Sequence, residues 1–175
     1  MDEVSLRTPR DDDWQAILDL ANRSVAELPD VPSQQPWLDN RRSFSPAEGI
    51  QQHFVVCRGD RIVGYACIEH RDNLKLHAPP RKADDDEYRV FVVVAPSDRL
   101  TLGIRLFKEL RDRLLDLGAD RAWMVEYEAD TRFISFLEGL GFVRQGAFTL
   151  PEGPRAIRLV AYAPFVTLAV VEELQ

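Results

Sequence analysis

The stretch from Ser97 to Leu110, "SDRLTLGIRLFKEL", could bind an anion. It follows the apolar run "VFVVVAP" and opens an amphipathic helix with Gly103 in its first turns and Arg99 beside it. A helix N-terminus offers N–H donors that lack partners within the helix, and a glycine lets the backbone approach a ligand closely. The same residues also fit an ordinary helix start, capped by Ser97 or Thr101, that binds nothing.

Composition excludes several other kinds of chemistry. The 175 residues carry a net charge of -7, which argues against nucleic-acid binding because such surfaces need an excess of Lys and Arg. No cluster of Cys and His has the spacing of a metal site, so no metal is expected. Cys57 and Cys67 lie in neighbouring strand-like segments, where they are either two small buried residues or a disulfide across a hairpin.

The N-terminus, "MDEVSLRTPRDDDW", is acidic and lacks the apolar core of a signal peptide. No apolar run approaches the roughly 20 residues that a membrane-spanning helix needs. The sequence therefore predicts a cytoplasmic protein that does not associate with membranes.

Hydrophobic periodicity predicts an α+β fold of mixed α/β character, with a central twisted mixed sheet of about seven strands flanked by about four helices. We expect one domain over residues 1–163 and a C-terminal extension, strand or helix, over 164–175. Proline-rich and charged loops are predicted at 29–46 and 71–86. The predicted strands are 4–10, a hairpin over 53–70, 87–96, 121–128, 142–150 and 155–163, and the predicted helices are 11–28, 45–53, 98–117 and 130–141.

This order of elements and three local stretches resemble the GNAT (Gcn5-related) N-acetyltransferase family. "VVVAPSDRLTLGIRLFKEL" is similar to the family's strand ending in V-x-P, its Q/R-x-x-G-x-G/A loop and its long helix. "DTRFISFLEGLGF" is similar to N-x-x-A-x-x-F-Y-e-k-l-G-F, and "FVVCRGDRIVGYACIEH" is similar to the early hairpin. The loop departs from the pattern, because depending on the alignment either Thr101 or Leu102 and Ile104 stand where the family has glycine.

The resemblance implies acetyl-CoA as co-substrate, an acyltransferase activity and no metal. In the family the strand before the helix separates from its neighbour and pairs with the pantetheine arm, and the helix N-terminus holds the pyrophosphate. Carried over to this sequence, the pantetheine would lie against the backbone of three valines, and the pyrophosphate would lie against the loop. Two further residues of the acetyl-CoA site would come from the next helix. The predicted acetyl-CoA residues are Val92, Val93, Val94, Arg99, Leu100, Thr101, Leu102, Gly103, Ile104, Arg105, Asp130 and Phe133.

The reaction needs a base, because an amine is mostly protonated at neutral pH. Glu87 begins the central strand, where similar proteins often place a glutamate, and Glu128 ends the next strand, which also contains Glu126. Glu87 and Glu128 are the predicted catalytic residues. The tyrosine that protonates the thiolate in many family members is replaced by Leu137. The loss is tolerable because a thiolate leaves readily at neutral pH, and Tyr88 or Tyr127 could supply a proton instead. His70, at the end of the second hairpin strand, could also act as the base.

In such folds the acceptor pocket is formed by the segment that joins the first two helices and by the last hairpin, which here are Pro29 to Pro46 and Thr149 to Pro154. Trp37 and Phe44 are predicted to line it, and Asp30 or Asp39 could attract a cationic amine, although Trp37 could equally hold the loop in place. The acceptor would be an amine of a small molecule or a peptide.

Two alternatives stay open. One is a non-catalytic GNAT-like module that senses acyl-CoA, or binds nothing and acts as a scaffold. The other is a chain that resembles one half of tandem GNAT proteins, in which one copy keeps the fold and loses its chemistry, so that a homodimer would restore the paired arrangement.

Overall fold

The computed structural model describes residues 4–43, 49–71, 87–151 and 153–163. Phe44, the extension 164–175 and all of the predicted loop 71–86 except Arg71 lie outside them. Within the described residues the strands are β1 Val4–Arg7, β2 Gly49–Arg58, β3 Arg61–Arg71, β4 Glu87–Val94, β5 Arg121–Tyr127, β6 Val143–Thr149 and β7 Arg155–Tyr162, and the α-helices are α1 Trp14–Val25, α2 Gln35–Arg42, α3 Arg99–Asp116 and α4 Thr131–Gly139.

The seven strands form one sheet in the order β1-β2-β3-β4-β5-β7-β6. Every neighbouring pair is antiparallel except β4 and β5, which are parallel and joined by α3. The predicted mixed seven-stranded sheet with four helices is therefore confirmed. None of the helices in the described part of the chain is long and apolar enough to cross a membrane.

The hairpin of β2 and β3 turns at Gly59, whose φ of 59° lies in the left-handed region that glycine tolerates. The register pairs Cys57 with Ile62 and Cys67 with His53, so the two cysteines do not face each other. Both are buried and free. The interpretation as two small core residues is correct, and the disulfide is not formed.

Two stretches of the secondary-structure prediction were wrong. The predicted loop 29–46 contains α2, which has Pro36 in its first turn, where a missing N–H costs nothing. The predicted helix over 45–53 is strand β2 from Gly49 onward, because residues 49–53 pair with the far end of β3 as far as Arg71. Pairing with the far end of β3, which a local pattern does not show, decides the second case.

The sheet separates two apolar cores, one on each face. Alternate residues of β4 point to opposite sides, so Val92 and Val94 pack with the apolar faces of α3 and α4. Phe91 packs on the other side, with α1, α2 and Tyr65 of β3. Strand β4 therefore fixes the relative positions of all four helices.

The parallel pair β4 and β5 is short. Only Glu87–Arg89 pairs with Arg121–Trp123, and the rest of the two strands has no shared register. At the paired end, Arg121 Nη2 lies 2.9 Å from Glu87 Oε2, with 7% and 8% of the two side chains exposed. This buried ion pair closes the end of the sheet at which the two strands stay together.

We predict that Arg121→Leu lowers the free energy of unfolding by about 3 kcal/mol or more, because it removes the cation that lies 2.9 Å from the buried Glu87 carboxylate. Chemical denaturation would measure the change. Arg144→Leu is the matched control, since Arg144 pairs with Glu138 on the surface, and it should change the free energy of unfolding far less than Arg121→Leu does. Equal losses in the two variants would show that the buried pair has no special role.

Candidate active site

A cavity of about 370 Å³ opens where β4 and β5 part. Its size is in the usual range for small-ligand sites. It crosses the sheet, because its wall includes side chains of both faces and residues of helices from both layers. The lining residues are Ser24, Val25, Pro32, Ser33, Gln34, Pro36, Trp37, Arg89, Phe91, Val92, Val93, Val94, Arg99, Val125, Glu126, Tyr127, Asp130, Phe133, Leu150 and Ala156.

The backbone of β4 has one edge toward this cavity. Val92, Val93 and Val94 line it, and their opposite edge pairs with β3 through residues 64–66. Past Arg89, no strand among the described residues pairs with the edge of β4 that faces β5. An extended ligand could add to this edge as a further strand does. The geometry thus suits the role that the sequence predicted for the three valines.

Helix α3 begins without a glycine-rich loop. A 3-10 turn, Pro96–Asp98, leads directly into it, and Asp98 at the N-cap makes no side-chain hydrogen bond to the first turn. The Asp98 carboxylate is instead held 2.7 Å from Arg58 Nη2. Leu100 and Thr101 are exposed beside the first-turn N–H groups. The helix start therefore keeps the features of an anion site, its acidic cap being neutralised by an arginine.

Gly103 has a packing role in this structure. A Cβ atom added to it would meet Phe136 Cζ of α4 at 3.2 Å, which is tighter than ordinary contact. Leu102 is buried beside it, while Ile104 is half-buried and Arg105 is exposed. None of these four residues is among those that line the cavity. The glycine that resembles a phosphate-loop residue thus lets α3 and α4 approach each other.

Arg99 connects three elements at the wall of the cavity. Its guanidinium lies 3.0 Å from Asp130 Oδ2, donates to the Ser24 carbonyl at 2.9 Å and stands 5.4 Å from the ring centroid of Phe133. Asp130 also caps α4 by accepting from the Phe133 N–H at 3.2 Å. The structure therefore brings together three residues of the predicted acetyl-CoA set, and Arg99 is already engaged by Asp130.

Glu126 is the carboxylate that β5 places in the cavity wall. Burial raises its pKa to about 8, the negative charge of Asp130 adds to the rise, and the cations Arg99 and Arg89 oppose it. A carboxyl group with a pKa near neutral can hold or release a proton at physiological pH, as a general base must. Glu126 thus has both the position and the proton affinity of a base.

The structure does not bring the two predicted bases to the described cavity wall. Glu87 is held in the ion pair with Arg121, and Glu128 is exposed with its Oε2 2.6 Å from Arg155 Nε. Glu126 and Glu128 would share a face if β5 continued, but the strand ends at Tyr127 and the chain turns. The end of the strand, which periodicity locates poorly, decides which glutamate faces inward.

The other sequence candidates are divided between the cavity and the rest of the fold. Trp37 lines the cavity, and so does Tyr127, whose phenol oxygen accepts from Gln34 Nε2 at 3.1 Å. Tyr88 is a core residue with 3% exposure, and its ring packs against His70. Asp30 and Asp39 are exposed and outside the lining. Gln34 was missed because it belongs to the segment predicted as loop.

The separated parallel strands and the uncapped helix start beside them define an N-acyltransferase fold. A family model, Acetyltransferase (GNAT) family, matches residues 14–142, and the chain therefore belongs to the GNAT acetyltransferases. No curated protein matches the chain at significant similarity.

Solved structures share the whole architecture. A GNAT-family protein from Desulfovibrio desulfuricans superposes with a TM-score of 0.66 at 18% identity, over 91% of this chain and 99% of the other. An N-acetyltransferase from Staphylococcus aureus gives 0.67 at 14% identity, with 91% and 98% covered. The protein yncA from Salmonella typhimurium, solved with its cofactor acetyl-CoA, gives 0.60 at 16% identity, with 91% and 93% covered. At these identities the likeness establishes the fold.

We predict that Glu126→Gln becomes more stable relative to the wild type as the pH rises from about 5 to about 8. The unfolded glutamate loses its proton near 4.5, whereas the folded one keeps it to about 8, so wild-type stability falls across this interval and levels off above it. We expect a relative gain of about 2 kcal/mol, less than full linkage gives because the cavity admits water.

Denaturant titrations at several pH values would measure this change. Glu128→Gln is the matched control, since Glu128 is exposed in a surface pair. If both variants change with pH in parallel, the cavity does not shift the Glu126 carboxyl group.

Proposed function

We propose that the protein transfers an acetyl group from acetyl-CoA to a primary amine of a small molecule or peptide by direct attack. One observation carries the proposal, namely the cavity that crosses the sheet between β4 and β5 with Glu126 in its wall. Family membership supplies the acetyltransferase class, and the cavity supplies places for two substrates that enter from opposite faces.

The described residues fit acetyl-CoA in two places. The edge of β4 at Val92–Val94 can accept and donate hydrogen bonds to the amide groups of the pantetheine arm. The first-turn N–H groups of α3, beside exposed Leu100 and Thr101, suit the pyrophosphate. Acetyl-CoA supplies an acetyl thioester, whose C–S bond breaks as the new C–N bond forms and whose CoA part leaves as the thiol.

Glu126 acts as the base in this proposal. A primary amine arrives as an ammonium ion and cannot attack until it loses a proton. The Glu126 carboxylate takes that proton, because a pKa of about 8 makes it a stronger base than an ordinary glutamate. Burial destabilises the carboxylate form of Glu126, and it therefore favours the uptake of a proton from the bound amine.

The chain has no acid at the family's tyrosine position, because Leu137 is fully buried in the core between α4 and the sheet. A thiolate whose conjugate acid has a pKa near 8.5 leaves without strong assistance. Tyr127, on the cavity wall, is the tyrosine that we propose for protonating the departing thiolate. Since Gln34 donates to its oxygen, the phenol proton points elsewhere.

Acetyl-CoA should raise the melting temperature of the protein, and Thr101→Glu should weaken its binding at least tenfold. The new carboxylate would occupy the helix start where the pyrophosphate binds, yet a negative charge there favours the helix itself. Thermal-shift titration would give the affinity, since ligand at ~100 times Kd stabilises by about 2.7 kcal/mol.

Gln15→Glu adds the same charge to the first turn of α1 and serves as the control. Arg99 contacts α1 at Ser24, near the other end of that helix. Gln15 is roughly 14 Å from Ser24 along the helix axis, so the new charge is far from the start of α3. This variant should bind acetyl-CoA as the wild type does. Absence of any shift at millimolar acetyl-CoA would remove the basis of the proposal.

The kcat of the wild type should rise with pH to about 8 and then level off, because Glu126 must be ionised to take the proton. Glu126→Gln should remove this inflection and lower kcat by about 10²–10⁴-fold. Glu128→Gln should change kcat by less than about threefold, as expected of an exposed residue. If Glu126→Gln keeps the pH dependence of kcat, Glu126 is not the base. If acetyl-CoA binds but no amine of a broad panel is acetylated, the result favours a non-catalytic module.

A further inference from the structure

The side chain of Gln34 does not do what its place in the chain would predict. Gln34 stands directly before α2, where a side chain usually accepts a hydrogen bond from the first turn, and it makes no such bond. It turns instead toward the end of β5 and lines the cavity, with 8% of the residue exposed. A side chain that departs from its local role is expected at a functional site, so this glutamine is a candidate for substrate binding.

Hydrogen bonds fix both the backbone and the amide group of Gln34. Its backbone N–H donates to Asn22 Oδ1 of α1 at 3.0 Å. Its Nε2 atom donates to the Pro32 carbonyl at 2.9 Å and to the Tyr127 phenol oxygen at 3.1 Å. Because a backbone carbonyl can only accept, the contact with Pro32 decides which end of the amide is the nitrogen. The amide is therefore held in one orientation before a ligand binds.

The remaining polar atom of this amide, Oε1, is open to the cavity. Both Nε2 hydrogens are used, and Oε1 receives no hydrogen bond from the described residues. It is not among the sealed buried atoms that lack a partner, so it is accessible from the cavity that Gln34 lines. An amide oxygen accepts from N–H groups and repels anions. It therefore suits an ammonium ion, which has three N–H groups and can give one proton to Glu126 while another N–H donates to Gln34.

The arginines of the described wall are engaged within the protein. Arg89 stands directly across from the buried Glu69 carboxylate of β3 and already has partners. Arg99 is paired with Asp130. The cations near the wall but outside its lining are Arg41 and Arg158. The described wall thus offers a base and an amide oxygen to the reacting amine, and its cations are committed elsewhere.

The rest of the acceptor side is apolar. The side chains that surround Gln34 there are aromatic rings, prolines and a leucine, namely Pro32, Pro36, Trp37, Phe91 and Leu150. Such a surface gains free energy by covering apolar parts of a ligand, while a few fixed polar atoms set the ligand's orientation. The acceptor that fits is one polar group on an apolar body.

We propose that Gln34 binds the acceptor, its Oε1 atom receiving an N–H of the reacting ammonium group. The substrate class is then a primary amine on an aliphatic or aromatic body without a second charge. This inference rests on the proposed function, because it concerns the second substrate of the same cavity. Polyamines and acidic amino acids should be poor acceptors.

The test uses phenethylamine and isopentylamine as probes, because the amine carries every N–H group of these molecules. Release of the CoA thiol gives kcat and KM. In Gln34→Met the accepting oxygen is lost, and KM for the probes should rise by about 10- to 100-fold, the usual contribution of a hydrogen bond to a charged group. The kcat should stay within about threefold, because a contact made equally before and in the transition state changes KM alone.

The variant Gln34→Glu separates substrate binding from a structural role. Both Gln34→Met and Gln34→Glu lose the hydrogen bonds donated to Pro32 and Tyr127, but the second variant keeps side-chain oxygens that accept. The KM of Gln34→Glu for the probes should therefore lie at or below the wild-type value. If Gln34 only holds Pro32 and Tyr127 in place, the two variants should lose activity alike.

Gln35→Met and Gln35→Glu are the matched controls. Gln35 is the next residue, its Nε2 donates to Asp39 Oδ1 at 2.6 Å, and it is outside the cavity lining. Both controls should keep the wild-type KM within about twofold, as expected of a residue away from the site. Circular dichroism checks the fold. If Gln34→Met does not fold, Gln34→Glu decides, because a raised KM in that variant contradicts the proposed contact.

The outcomes separate the two proposals. An unchanged KM in Gln34→Met, an equal rise in both Gln34 variants, a KM lowered as much by Gln35→Glu as by Gln34→Glu, or faster use of spermidine, glutamate or a tripeptide than of the probes would overturn the inference while the acetyltransferase proposal stands. If acetyl-CoA does not bind and no amine is acetylated, the proposed function fails and the inference falls with it. A KM that rises in Gln34→Met and not in Gln34→Glu supports both.

Discussion

The early end of hydrogen bonding between β4 and β5 is the constraint on which the rest of the structure depends. Three residues on each strand pair, and then the strands part. Parting leaves one edge of β4 without a strand, which a folded sheet normally avoids because unpaired backbone groups need partners. Here the edge faces a cavity, and in the proposed function its backbone groups would bind the pantetheine arm.

Separated strands require support from elsewhere in the fold. The buried pair of Glu87 and Arg121 holds the closed end, and Arg99 joins α1, α3 and α4 near the open end. The cores on the two faces press α3 and α4 against one side of β4 and α1 and α2 against the other. Electrostatic contacts therefore hold the cavity at its ends, and apolar packing holds its walls.

The sequence predicted the elements whose signals are local. The apolar stripe of α3, the Asp130 cap of α4 and the Gly-Asp turn of the hairpin each lie within a few residues, and each prediction is confirmed. The prediction failed where pairing with the far end of β3 decides, as for residues 49–53, and where strand β5 ends one residue before Glu128. Glu126 could not be chosen from the sequence, because its pKa depends on burial and on Asp130, Arg99 and Arg89 brought together by the fold.

A cavity that crosses the sheet also has two sides that can change independently in evolution. In the proposed function, the side of the cavity toward α3 and α4 would hold the thioester donor, and the side toward α1 and α2 would hold the other substrate. Substitutions on the second side, as at Trp37, would then change what is modified without disturbing how the donor is held. One sheet with an opening in it can serve many acceptors, because the two surfaces that must be optimised share only the strand edges between them.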